Sequence, residues 1–545
     1  MECKRRGTED IEREDTQLGA GSFNMRTCIS SLPSEILSLI YQEYLHGTEE
    51  DYIVEEFSNN IELRHANGEK PPHWRWLVLL QVCRSWRAVV LSSPLLWSQL
   101  YPTICEYPDL VETFILRSRN TPLSAFIKSY VYATTVIPAN LRQSFGRLLQ
   151  EETRLRHLSF EAARLGFEHT YGPLVMDVSL KHLESLKIQL YDDDAHDGPL
   201  EGLPVILKAD FRCLRDVILG DIFPEWPLFR NLPPTVTSLR IQNEYQPSIV
   251  HGSMDDVFTL LKKLGRLKTL KLIHCLPIFA HGAIDSIHMP ELEQLTITSP
   301  ASSAISLFES LELSVDTIIR LELMIHPGED VSGGCSTVFS HLYGIYGDSM
   351  THTSIWVDQA KVTLILAKNF ILYFNLDVMY QDIDDGTTVF QPLTVLHDTI
   401  DAATTRTFSS VTSLWISVQD CDARDVTESA MHVFRAMNNL GTLGMDVNGA
   451  VVSDVLRPRV DTPILLPHLY NLALPKFDIV DGELRSEDSS VNIDMFCRCL
   501  EERQACGCGI MVLQIRDGFE VDVSDPEELR DRLDASVRDT RGWME

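Results

Sequence analysis

Four thiols fall within the segment CRCLEERQACGCG: Cys497, Cys499, Cys506 and Cys508. A set of cysteines this dense raises the question of zinc, which four thiolates hold tetrahedrally. Structural zinc sites space their paired cysteines as C-x₂₋₄-C, whereas both pairs here are C-x-C. On a helix, residues two apart project about 200° from each other, and this segment reads as a helix running into the last strand. The cysteines are assigned to packing, and no metal site is expected.

The acidic cluster YDDDAHDG, with Asp192, Asp193, Asp194, His196 and Asp197, lacks the regular oxygen spacing of an EF-hand loop and reads as a solvated loop. No HExxH, GxxxxGK[ST] or GxSxG is present. The GAGS at Gly19–Ser22 lies in a charged leader with no preceding strand to build a phosphate loop. The 17 histidines form no ligand spacing. The expectation is therefore no catalytic residues, no cofactor and no metal: not an enzyme.

Composition points the same way. The excess of 78 acidic over 47 basic residues gives a formal charge of −31, whose summed field repels phosphate backbones and anionic lipid surfaces. Neither nucleic acid nor membrane is an expected partner. The richest apolar run, Val362–Leu376, is shorter than the ~20 residues a bilayer-spanning helix needs and carries Lys368. The N-terminus is polar, without the apolar core of a signal peptide. Twelve cysteines in 545 residues read as reduced thiols in a cytoplasmic or nuclear protein.

The elements that must position any functional side chain follow from periodicity. Residues 1–27 mix charge with Gly and Ser and read as a disordered leader. Ser31 can cap a first helix that Pro33 opens, with Ile36, Ile40 and Tyr44 at i, i+4, i+8 and Leu37 and Tyr41 widening the stripe. An acidic, turn-rich insertion occupies about 46–73. A second helix is expected over LVLLQVCRSWRAVVLSS, with Leu79, Val82, Cys83, Trp86 and Val90 on one continuous face, stopped by Pro94.

From about residue 150 a short motif of apolar-x-x-apolar-x-apolar recurs, as LRHLSF, LESLKI, LRDVIL, VTSLRI, LKTLKL, LEQLTI, IIRLEL, VTSLWI, LGTLGM, LYNLAL and IMVLQI. Most separations suit a strand-plus-helix repeat, and the alternation gives each strand one inward face that only neighbouring units can bury. The rhythm breaks between about 327 and 408. The tail after 520 reads as one exposed helix with an acidic first turn.

The segments LPSEILSLI and LVLLQVCRSWRAVVLSSPLLWSQL together resemble the F-box, in the form found in large fungal F-box families: Leu-Pro-x-Glu-hydrophobic, then Val-Cys-Arg-x-Trp-Arg, then Ser-x-Pro-x-Leu-Trp. The LxxLxL segments behind it are similar to degenerate leucine-rich repeats; the family's Asn or Cys after the last strand leucine stands only at Cys275 and Asn448. The resemblance implies an α+β chain: a small N-terminal helical F-box (28–104, with the insertion), an irregular α/β leucine-rich-repeat-like solenoid (105–520) and a tail (521–545).

The resemblance also implies docking on the Skp-type adaptor of a cullin–RING ubiquitin ligase. By position Leu32, Pro33, Glu35, Ile36 and Ile40 form the first contacting element, and Val82, Cys83 and Trp86 the second. The implied function is that of a non-catalytic substrate receptor, its solenoid holding an unknown target protein. The alternative is a scaffold that binds the adaptor without delivering a target. Trp97 is read as tying the helices to the solenoid.

Overall fold

The computed structural model describes residues 33, 35–37, 39–41, 80–128, 139–163, 179–191, 209–222, 225–243, 250, 252–277, 286–325, 338, 340–342, 345, 353–358, 361–366, 370–376, 411–417, 431–446, 452, 455–458, 464–474, 478–480, 483–485, 490–515 and 519–522. The leader, the insertion at 46–73, the Asp192–Asp197 cluster, Asn448 and the expected tail helix lie outside them. The chain divides into two compact units, Met1–Asp193 with Glu201–Leu214, and Asp194–Leu200 with Arg215–Glu545.

In the first unit, helix α1 (Arg84–Ser92) leads through a 3₁₀ turn at Pro94–Trp97 into β1 (Gln99–Leu100). Helices α2 (Pro102–Cys105) and α3 (Pro108–Ser118) precede β2 (Leu123–Lys128), and α4 (Ala139–Leu149) precedes β3 (Leu155–Ala163) and β4 (Ser185–Tyr191). The four strands pair in chain order, all parallel. Each short strand buries alternate residues: Leu158 and Phe160 on β3 stand beside Leu186 and Ile188 on β4. Helix α4 turns Phe145 and Leu148 onto this core, and Phe145 meets Phe160 edge-on, with ring centroids 4.9 Å apart.

The second unit repeats the plan. Strands β5 (Asp216–Gly220), β6 (Ser238–Gln242), β7 (Thr269–Ile273), β9 (Gln294–Pro300) and β11 (Ile318–Ile325) pair in parallel and in chain order. The short β8 (Ile287–His288) and β10 (Leu311–Glu312) pair separately. An antiparallel meander, β12 (Thr353–Asp358), β13 (Lys361–Leu366) and β14 (Phe370–Leu376), then joins two parallel runs: β14 lies against β11, and β12 against β15 (Val411–Ser417).

Beyond it β16 (Thr442–Asp446), β17 (Asn471–Leu474) and, past a small sheet of β18 (Asp478–Val480), β19 (Glu483–Arg485) and β20 (Ser490–Asn492), β21 (Val512–Ile515) continue the parallel order. Strand β22 (Phe519–Asp522) closes it antiparallel.

The register explains the motif. Val217, Leu239, Leu270, Leu295 and Ile319 form one transverse row, and Leu219, Ile241, Leu272, Ile297 and Leu321 the next, all at most 1% exposed. In IIRLEL the inward pair is thus Ile319 and Leu321, and the motif's first position, Ile318, is 49% exposed. Helices α5 (Trp226–Phe229), α6 (Met254–Lys263) and α7 (Ala301–Ser310) cover this face. Helix α6 starts in a capping box between Ser253 and Asp256, the reciprocal bonding that satisfies two orphan N–H groups. Gly252 precedes it at φ +116, where a Cβ would strike Trp226 at 2.9 Å.

Side chains satisfy the turns: Asn243 donates to the Ile222 carbonyl (3.2 Å), the Cys275 thiol to that of Ile241 (3.6 Å), and the Trp226 indole to that of Cys275 (2.9 Å). Sequence reasoning placed this role at Cys275 and passed over Asn243.

The expected fold class is corrected by this architecture. In each unit the described residues form an α/β fold, a mostly parallel sheet with few helices, and no N-terminal helical F-box is evident among them. Two local causes can be named. The continuous face expected through Val82, Cys83 and Trp86 breaks at Cys83, which is extended (φ −158, ψ 172) and caps α1 with its thiol instead of lying inside it. The chain after Ser93 joins the sheet, since β1 pairs with β2.

Candidate functional site

The N-terminal residues are helical at 35–37 and 39–41, with the Leu37 N–H donating to the Pro33 carbonyl at 3.1 Å. Their apolar side chains divide into two stripes. Leu37 and Tyr41, four apart, are 2% and 1% exposed. Ile36 and Ile40, also four apart, are 42% and 45% exposed, and Leu39 beside them is 56% exposed.

The inner stripe meets α1. The Tyr41 and Trp86 rings lie with centroids 5.1 Å apart, tilted by 54°. Among the described residues the buried Tyr41 hydroxyl has no hydrogen-bond partner. Burial, with Cys83 as a lesser cause, pushes its pKa up to about 12. The Cys83 thiol accepts the Trp86 N–H at 3.4 Å, and the Arg87 guanidinium donates to the Leu80 carbonyl at 2.7 Å, holding the turn before α1.

Among the residues singled out from sequence, Pro33, Glu35, Ile36, Ile40, Val82 and Cys83 are exposed, Val82 at 52%, and Trp86 is half-buried. Leu32 lies outside the described residues. Leu39 was passed over, although its place three residues after Ile36 marks it for the same helical face.

Trp97 does something different. It is 4% exposed, stacks edge-on against Phe114 at 5.0 Å, lies under the Arg117 guanidinium at 4.7 Å, and donates to the Val90 carbonyl at 2.8 Å. It ties α1 to α3.

The C-terminal cysteines are dispersed: Cys497 and Cys499 are buried on α8 (Ile493–Ala505), Cys506 is exposed and Cys508 half-buried. Among the described residues no three His, Cys, Asp or Glu side chains gather as metal ligands, and no helix is long and apolar enough to cross a membrane. Gly507, at φ +77, ends α8, with the Cys508 N–H returning to the Arg503 carbonyl at 3.0 Å. Arg503, 1% exposed, donates to the carbonyls of Leu465 (3.0 Å) and Leu466 (2.8 Å).

A groove of about 1090 Å³ runs between α3 and α4, past Asp109, Arg142 and Glu152. Its Arg147 pairs with Glu112 (2.6 Å) and Glu151 (2.9 Å), and these bonds, Glu112's first, raise an already high pKa. That is an ion pair joining two helices. The feature with the chemistry of a site is the outward stripe of Ile36, Leu39 and Ile40, with Val82 also exposed ahead of α1; such side chains can exclude water against another surface. The chain matches no protein-family model and no curated protein.

Proposed function

We propose that this protein is the substrate-receptor subunit of a Skp–cullin–F-box type ubiquitin ligase. The resemblance of Leu32–Ile40 and Leu77–Leu100 to the F-box motif suggests the partner. The observation that carries the reading is the outward stripe: Ile36, Leu39 and Ile40 are 42–56% exposed, while Leu37 and Tyr41 of the same short segment are buried; Val82, ahead of α1, is 52% exposed as well. Apolar side chains grouped on a surface are what a protein interface covers.

The docking needs no separate helical domain. It needs these side chains held outward, which the packing of Tyr41 on Trp86 favours. The adaptor would seal the stripe, and the sheet-bearing remainder of the chain would hold a target. The protein's contribution is proximity: tethering a target near a ubiquitin-charged enzyme makes their encounter effectively intramolecular.

The test is co-expression with a Skp-type adaptor, comparing the native chain with Ile36→Asp plus Val82→Asp. Both positions are exposed, so folding is retained while docking is lost. A native complex absent from the double variant supports the proposal, and equal recovery of both contradicts it.

A further inference from the structure

We infer that the face of strands β6, β7, β9 and β11 opposite the buried leucine rows binds an acidic segment of a partner protein, across a row formed by Arg240, Lys271 and Arg320. The register sets the row. Arg240 on β6 stands beside Lys271 on β7, Lys271 beside Thr296 on β9, and Thr296 beside Arg320 on β11. Their strand neighbours Leu239, Ile241, Leu270, Leu272, Leu295, Ile297, Ile319 and Leu321 are at most 1% exposed, so the row lies on the opposite face by strand alternation. Arg240 and Arg320 are exposed, and Lys271 and Thr296 are half-buried.

Three cations share one line in a chain whose formal charge is −31. Among the described residues neither Arg240 nor Lys271 forms an ion pair. Burial, then the two guanidiniums of Arg240 and Arg320, hold the Lys271 ammonium below the ordinary lysine range. The face also carries two acids: Asp216 on β5, and Glu322 on β11, which accepts from the Thr298 hydroxyl at 3.2 Å. Both lie in the rows to either side of the cations.

The charge calls for a complementary anion, and a parallel sheet ordinarily has both faces covered. Strands about 4.8 Å apart put Arg240 and Arg320 about 14 Å from one another across the row. An extended peptide of about four or five residues spans that distance, so side chains of Asp or Glu at alternate positions reach all three cations. Long-range repulsion from the acidic chain then favours partners whose negative charge is confined to such a short segment.

Calling the bound segment a target rests on the receptor reading, but its binding does not. The experiment uses the full chain without adaptor, so failure here leaves adaptor docking untouched, and failed docking leaves this row untouched. Fluorescent decapeptides alternating Ser with Glu, Gln, Lys or phosphoserine are titrated by anisotropy. The Glu peptide is expected to bind at least tenfold more tightly than the Gln and Lys peptides. Arg240→Gln plus Lys271→Gln should remove that preference, and Arg240→Glu should shift it toward the Lys peptide. Lys262→Gln, which removes one positive charge from α6 instead, should leave it intact. Each variant's melting temperature is measured alongside. Equal binding of Glu and Gln peptides, binding of the phosphoserine peptide alone, or an equal loss in Lys262→Gln overturns the inference.

Discussion

Tyr41 and Trp86, far apart in sequence, stand with ring centroids 5.1 Å apart and are the contact that seats the N-terminal helical residues on α1. The seat is sided: it draws Tyr41 and Leu37 inward and leaves Ile36 and Ile40 outward. Trp86→Ala should loosen this seat by about 2–3 kcal/mol, less than a fully buried Trp truncation costs because the ring is half-buried. Hydrogen exchange should then accelerate over 33–41 while β5–β11 stay protected. Unchanged exchange would show that the ring contact carries no stability.

Tyr41→Phe tests the orphaned hydroxyl. Removing a buried hydroxyl that has no partner among the described residues should stabilise the seat by about 1 kcal/mol. The pH dependence has a definite sign. With the folded pKa raised to about 12 over an ordinary 10, the folded state holds the proton more tightly. The stabilisation is complete below pH 10 and is lost as pH rises toward 12. Exchange at 33–41 should therefore increase through that window in the native chain, and less in Tyr41→Phe.

Glu161 bridges Lys128 on β2 (3.2 Å) and Lys187 on β4 (2.9 Å). Burial pushes its carboxyl up, but Lys187 and then Lys128 outweigh burial and hold it below the ordinary carboxylate range. Glu161→Gln removes the charge that faces the 8%-exposed Lys128 and should cost about 3 kcal/mol by denaturant unfolding of the first unit. A lowered folded pKa stabilises above the unfolded value, near 4.5, and is lost as pH falls through the folded one. The acid-induced loss of stability should be shallower in Glu161→Gln.

Trp415 on β15 pairs in register with Gly444 on β16, and its ring occupies the space a Cβ at 444 would need. Gly444→Val should cost about 1–3 kcal/mol by overpacking. Adding Trp415→Leu should recover part of that loss, the non-additivity expected of touching residues. Additive losses would mean the ring does not fill that space.

The strands were legible because each needs only a two-residue alternation, and LxxLxL states it; Leu270 and Leu272 read inward from sequence and are fully buried. Strand β2 was not, since Ala125 stands where its neighbours carry Leu, and its place beside Leu158 is set by register. IIRLEL misled by offering one apolar residue too many, so only pairing with β9 distinguishes Ile319 from Ile318. The expected helical F-box came from the motif resemblance, and its continuous second helix from spacing through Val82, Cys83 and Trp86; spacing cannot reveal that a thiol at 83 caps the helix. The cationic row was invisible too, because Arg240, Lys271 and Arg320 are brought together only by transverse pairing.

Calorimetric titration of a purified Skp-type adaptor into the native chain and into Ile40→Asp measures the docking itself. The proposal expects the native chain to bind with a negative heat-capacity change from apolar burial, and Ile40→Asp to bind at least a hundredfold more weakly with an unchanged melting temperature. Equal affinity for both chains, or no binding by the native one, would contradict it.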